Sequence, residues 1–221
     1  MTLFLRRMAG LGIGFLSCGA GIAAMVQARL GLGPWDIFHQ GIARVFGVSI
    51  GIANVAVGLV VMLCWVPFRQ KPGIGTALNI AMIGPCANLF LAILPHPQLL
   101  AWRIGYMMTG MPLLAFGTAL YLSSNLGPGP RDGLMLSLTR RFGLSVRLAR
   151  TLIECSAFLG GWLMGGDFGL GSLYFALAIG PSLQGFILLL QRAGLWYQPL
   201  LRDIGSPETP DAGIPGKLAP P

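Results

Sequence analysis

Six long apolar runs, separated by short polar or basic breaks, organise the first 192 residues: roughly 9–28, 48–68, 74–95, 104–124, 148–165 and 170–191. A helix that crosses a bilayer needs about 20 mostly apolar residues, and these runs approach or reach that length. They are too long and continuous for barrel strands. Inside hydrocarbon the remaining solution is a helix, which satisfies its own backbone. The fifth run is the shortest and most polar. Trp35, Trp65, Trp102, Trp162 and Trp196 fall near run ends, where indole rings favour the membrane interface.

Between the first two runs lies a shorter pattern. Ile37, Phe38, Ile42, Val45 and Phe46 share one helical face, and Asp36, His39, Gln40 and Arg44 share the other. Eleven residues, 36–46, are too few to span. Two readings fit: an amphipathic helix lying in the interface, or a re-entrant half-helix with its N-terminus facing a cavity. Residues 132–142 are the corresponding short segment of the second half, opened by the same Leu-Gly-x-Gly-Pro-x-Asp turn.

That correspondence is general. Shifted by 96 residues, the chain matches itself without a gap, and ten of the 29 positions in 30–58 are identical to 126–154. LGLGPWD ending at Asp36 lies over LGPGPRD ending at Asp132. Farther on, Gly73, Gly75, Ile83, Gly84, Pro85 and Phe90 match Gly169, Gly171, Ile179, Gly180, Pro181 and Phe186. Duplication of a three-helix unit is the simplest account. An odd number of spans per unit makes the second copy enter the membrane from the opposite side, an arrangement common among secondary transporters. The expected fold is therefore an all-α membrane protein of about six transmembrane helices in two inverted-topology three-helix repeats, 1–96 and 97–192. A Pro/Gly-rich tail, 193–221, lacks apolar periodicity from about 203 and reads as disordered.

Composition agrees. The hydrophobic fraction is 54%, only 10% of residues are charged, and mean hydropathy is +0.72. A soluble domain carries roughly 25% charged residues, so the apolar excess points to lipid as the chain's main partner. The net charge of +8 does not point to nucleic acid, because the basic residues sit in short clusters between runs. With six spans, twelve Lys and Arg fall on the side of the termini. Only Arg29, Arg44 and Arg103 fall on the other. Both termini are expected in the cytoplasm of a bacterial inner membrane. Arg6 and Arg7 ahead of an apolar run resemble a signal peptide, but this run has a counterpart in the second half and is expected to be retained.

Few residues carry candidate chemistry. Asp36 and Asp132 stand where helix N-caps stand, after a turn built of glycine and proline. Arg150 and Glu154, four apart, can pair on one helix face. An ionisable residue within a span is costly, which makes Glu154 a functional candidate; packing or snorkelling is the plainer alternative. Asn88 and Gln184 each follow a helix proline, Pro85 or Pro181, by three residues. They read either as packing glue or as lining of a pathway. Cys18, Cys64, Cys86 and Cys155 lie in apolar runs without CxxC spacing and read as core residues. His39 has no clustered partner, so no metal and no cofactor is expected. Gly10 and Gly14, and Ala157, Gly161 and Gly165, repeat at helical spacing. Such surfaces suit either the contact between the two units or a homodimer.

LGLGPWDIFHQG, then W-x-P-x-R-Q-K-P-G-x-G-T from Trp65, then LGPGPRDGLM, then GWLMGG with GxGS, resemble the YczE-like bacterial membrane proteins, relatives of the YitT-like group, over roughly 8–192. The resemblance implies a bacterial inner-membrane protein and brings no catalytic residues with it. Asn88 stands where many relatives are expected to carry an acid, and Ser172 where threonine is usual. The leading expectation is a small transporter or channel-like protein for a small solute or ion. Its pathway residues would be Asp36, Asp132, Arg131, Asn88, Gln184, Arg150 and Glu154, with Arg131 or Arg150 favouring an anionic or zwitterionic solute. A non-transporting scaffold or regulatory partner is the alternative. An enzyme is not expected, since HExxH and GxSxG are both missing.

Overall fold

The computed structural model describes residues 2–31, 33–48 and 50–196. Among them are eight helices and no strands: α1 (Thr2–Ala28), α2 (Pro34–Phe46), α3 (Ile50–Leu63), α4 (Ile74–Ile93), α5 (Leu100–Ser123), α6 (Pro130–Phe142), α7 (Val146–Leu163) and α8 (Leu170–Arg192). Of these, α1, α4 and α8 are long and apolar enough to cross a membrane. Large apolar side chains are exposed on their outer faces, Leu16, Ile80 and Leu177 among them. The chain is a membrane protein, as its composition requires.

The remaining runs form helices with different limits. α5 has 24 residues and α7 has 18, close to expectation. α3 has only 14 and ends at Leu63, short of the expected 68. At 1.5 Å per residue it is about 21 Å long, less than the ~30 Å hydrocarbon core. The chain leaves the helix because Trp65 turns inward, 2% exposed, and its indole N–H donates to the Pro130 carbonyl at 3.0 Å. A series of turns then carries it to Arg69, which has a positive φ of 52°.

The two short helices begin and end alike. Gly33 and Gly129 are the N-caps, Pro34 and Pro130 open the first turn, and Gly47 and Gly143 end the helices in the left-handed conformation. Asp36 and Asp132 are therefore first-turn residues, not N-caps. Proline fits the first helical position because its missing N–H would have had no intrahelical partner, so the helix starts two residues before the acid. The face division expected of α2 also differs. His39 is buried at 2% exposure, whereas Val45 and Phe46 are 59% and 70% exposed. α2 packs against α7 at Gly161 and against Gly166 just beyond it, and this contact fixes which side is covered.

Trp35, Trp65 and Trp196 are buried and serve the core; only Trp102 and Trp162 are exposed near helix ends. Cys18 and Cys86 are buried, Cys155 is half-buried and Cys64 is exposed, so three of the four have some claim to be packing residues and Cys64 has none. Trp196 packs in the main core just beyond α8; the rest of the expected tail, 197–221, lies outside the described residues, as does Ser49 of the repeat.

The helices are joined by reciprocal contacts. The Gly75 N–H donates to the Leu30 counterpart, Leu126, at 2.7 Å, and the Gly171 N–H donates to Leu30 itself at 2.9 Å. Gly75 and Gly171 are 96 apart, as are Leu30 and Leu126. Gly31 and Gly127, both at positive φ (142° and 124°), sit in these crossings against the hydroxyls of Ser172 and Thr76. A β-carbon has no room there, and the φ would strain one. α1 and α5 cross in the same manner. A β-carbon on Gly14 would lie 2.9 Å from the Gly117 carbonyl oxygen, and one on Gly21 would lie 2.6 Å from that of Gly110. Gly14 and Gly110 are counterparts, and so are Gly21 and Gly117. Gly14 and Gly161 of the small-residue stripes thus serve contacts within the chain, where close backbone approach lets the helices interlock, whereas a β-carbon on Gly165 would meet nothing within 4 Å.

Candidate functional site

The chain's buried charges converge where α1, α2, α5, α6 and α7 meet. Asp132 projects from the first turn of α6 and is 8% exposed. Its carboxylate accepts from the Tyr121 hydroxyl of α5 and from Arg150 of α7. Arg150, 6% exposed, also reaches Glu154 one turn along α7, with Nη2 2.9 Å from Oε1. Glu154 is fully buried. One guanidinium therefore holds two carboxylates, and a phenol braces the first of them. Such hydrogen bonds to ionised groups are strong, and the planar Arg fork can serve two acceptors at once.

The cluster is not saturated. Arg150 Nε is buried without a hydrogen-bond partner, and the contacts of Glu154 with Arg150 and with Trp35 Nε1 are poorly aligned as hydrogen bonds. Trp35 of α2 nonetheless lies within electrostatic reach of the Glu154 carboxylate. The Arg131 guanidinium stacks 4.5 Å from the Trp35 ring centre, an arrangement favoured by the ring's negative face. Arg131 interacts in turn with Glu154 and Asp36. From α1, Phe15 packs on Tyr121 with ring centres 5.5 Å apart, and Cys18 makes a 3.7 Å contact with the Thr118 hydroxyl.

Of the seven residues singled out from the sequence, Asp132, Arg150 and Glu154 form the centre, and Arg131 borders it. Asp36 faces Arg131 but its side chain is exposed. Asn88 and Gln184 are elsewhere. Asn88 is exposed on α4, whereas Gln184 accepts from the Arg147 N–H at 2.9 Å and so ties α8 to the start of α7. It thus serves as packing glue between neighbouring helices. Sequence reasoning missed Tyr121 and misplaced Trp35 at the interface. A tyrosine inside an apolar run was an available signal, because a buried phenol needs a partner.

The site belongs to one half of the duplication. The counterparts of Arg150, Glu154 and Tyr121 are Asn54, Gly58 and Met25. Only Asp132 has an acidic equivalent, Asp36. The model of a family of unknown function, DUF6198, matches residues 5–187.

The chain belongs to this family.

Relatives span most of this DUF6198 member. An uncharacterized protein of Haemophilus influenzae is 40% identical over 79% of this chain and 80% of its own length. The uncharacterized membrane protein YczE of Bacillus subtilis is 32% identical over 77% and 80%, in agreement with the resemblance drawn from the motifs. The uncharacterized protein YyaS of the same organism is 24% identical over 82% and 92%. No solved structure matches the chain.

Proposed function

We propose that this DUF6198 member is a transporter or channel-like protein of the bacterial inner membrane, carrying a small charged solute or ion past the Asp132–Arg150–Glu154 cluster. In this reading six helices cross the bilayer in two inverted three-helix units, 1–96 and 97–192, and both termini are cytoplasmic. α2 and α6 are the re-entrant elements. The reciprocal contacts between residues 96 apart support a twofold relation between the units. The burial of Trp35, Ile37 and His39 on α2, and of Asp132, Met135 and Leu136 on α6, favours re-entry over a place on the surface.

One observation carries the reading. Buried charges, Glu154 fully so, lie where helices of both units meet. In hydrocarbon such groups are costly and are kept where they meet a solute, an ion or each other. Pairing among themselves leaves Arg150 Nε without an acceptor and Glu154 in poorly aligned contacts, so the cluster has capacity for a further partner.

The test is a thermal-shift screen of purified protein against a metabolite library, followed by uptake of each hit into liposomes. Hits and uptake that disappear in Glu154→Gln, with the fold retained, are the expected result. Uptake equal to wild type in Glu154→Gln and in Asp132→Asn would remove the cluster from the pathway. A protein without hits that co-purifies with a fixed partner would turn the reading to a scaffold.

A further inference from the structure

At the end of α3 and α6, two adjoining clefts of about 270 and 390 Å³ share Arg69 and Arg140. Arg141 lines the first and Lys71 the second. All four basic side chains are exposed. The acids of the described residues are Asp36, Asp132, Glu154 and Asp167, and none of them lines either cleft.

The equivalent place in the other unit explains why these cations stand together. There Arg44, the counterpart of Arg140, forms a 2.6 Å ion pair with Asp167 and also donates to the Gly165 carbonyl. Gln40 closes the same group, donating to Asp167 at 2.9 Å. Arg140 repeats the backbone half of this latch, donating to the Phe68 carbonyl at 2.6 Å. It lacks the acidic half, because Lys71 occupies the position of Asp167 and Leu136 that of Gln40. A place that holds a carboxylate in one unit is thus open and surrounded by cations in the other.

Phe68 lines the first cleft, and further apolar side chains neighbour its lining residues. Val66 and Phe142 are 70% and 61% exposed, and the Phe142 ring meets Phe68 edge-on at 6.4 Å. Cations beside exposed apolar side chains, at the end of a short helix, suit a ligand with a charged head and an apolar body. We propose that the Arg69–Lys71–Arg140–Arg141 cleft binds the phosphate of an anionic phospholipid, taking the place that Asp167 fills in the other unit. Arginine pairs bind a phosphate bidentately, and each basic residue near an anionic bilayer adds a comparable increment of attraction. The proposal rests on the membrane character of the chain and does not depend on transport.

The purified full chain in neutral detergent would be titrated with short-chain phosphatidylglycerol, short-chain phosphatidylcholine and inorganic phosphate, with binding read by native mass spectrometry and thermal shift. Phosphatidylglycerol is expected to bind preferentially. Arg69→Gln with Arg140→Gln should weaken it by roughly 30-fold. Lys71→Asp, which supplies the missing acid on an exposed loop, should abolish the preference while leaving the protein folded. Arg6→Gln with Arg147→Gln, the same charge change outside the cleft, should leave it intact. Equal binding of the two lipids would overturn the proposal, and so would unchanged binding in Lys71→Asp. Inorganic phosphate binding as well as phosphatidylglycerol would show a free-anion site and overturn the lipid assignment.

Discussion

At the scale of single residues, Arg150 decides the state of the buried cluster. It is the one cation bonded to both Asp132 and Glu154. Removing it leaves two carboxylates in an apolar interior, one braced by a phenol and the other with only the nearby Arg131 and the Trp35 N–H. Arg150→Met should therefore destabilise the protein by about 3–5 kcal/mol, seen as a lower midpoint of thermal unfolding in detergent. Replacing all three, with Asp132→Leu and Glu154→Leu added, should recover most of the loss, because no unpaired charge then remains. If the single and triple variants are equally unstable, packing and not charge governs the site. The i, i+4 spacing made the Arg150–Glu154 pair legible in the sequence, since helix geometry alone brings those two together. Tyr121 and Trp35 were not legible as members. Their approach depends on how α5 and α2 lie against α7, and local periodicity does not encode that.

At the scale of elements, close approach of backbones does what apolar burial does in water. Lipid tails are as apolar as leucine, so helices in a bilayer gain little by hiding leucine from lipid and more by fitting closely. α1 and α5 fit at Gly14, where a β-carbon would strike Tyr121 and the Gly117 carbonyl. Gly12, two residues earlier on the same helix, has no neighbour within 4 Å. Gly14→Val is expected to cost about 1–3 kcal/mol, and Gly12→Val nearly nothing, in matched thermal unfolding. Equal losses would mean that helix propensity, not the crossing, sets the effect. Glycine spacing showed that such a surface exists. Whether it faced the other unit or a second chain was not readable, because both contacts ask for the same small residues. Helix limits were legible to within a few residues except at the start of α1, at Thr2 against an expected 9, and at the end of α3, where Trp65 prefers the Pro130 carbonyl to the bilayer interface. The first turns of α2 and α6 were also misread, since Gly-Pro-x-Asp begins a helix at the proline.

At the scale of the whole molecule, the 96-residue self-match was the most legible pattern, and its shared glycines fall where backbone approaches backbone. Gly31, Gly73, Gly75 and their counterparts are retained at the crossings, whereas the charged cluster and the Arg44–Asp167 latch each belong to one position of a pair. Two copies have thus kept a common framework and diverged in charge. What the framework implies for topology follows from parity: three spans per unit invert the second copy, whereas any even number does not. The short α3 makes this the point most worth testing, since an α3 that fails to cross would place both copies on one side. Phe46 and Phe142 are equivalent residues, 70% and 61% exposed, at the ends of α2 and α6. In a background with Cys18, Cys64, Cys86 and Cys155 replaced, Phe46→Cys should react with a membrane-impermeant thiol reagent in intact cells. Phe142→Cys should react only in inverted vesicles. Labelling of both from the same side would leave the reciprocal contacts as a soluble-style twofold between units of equal orientation. It would also remove the inverted pathway on which the transport proposal stands.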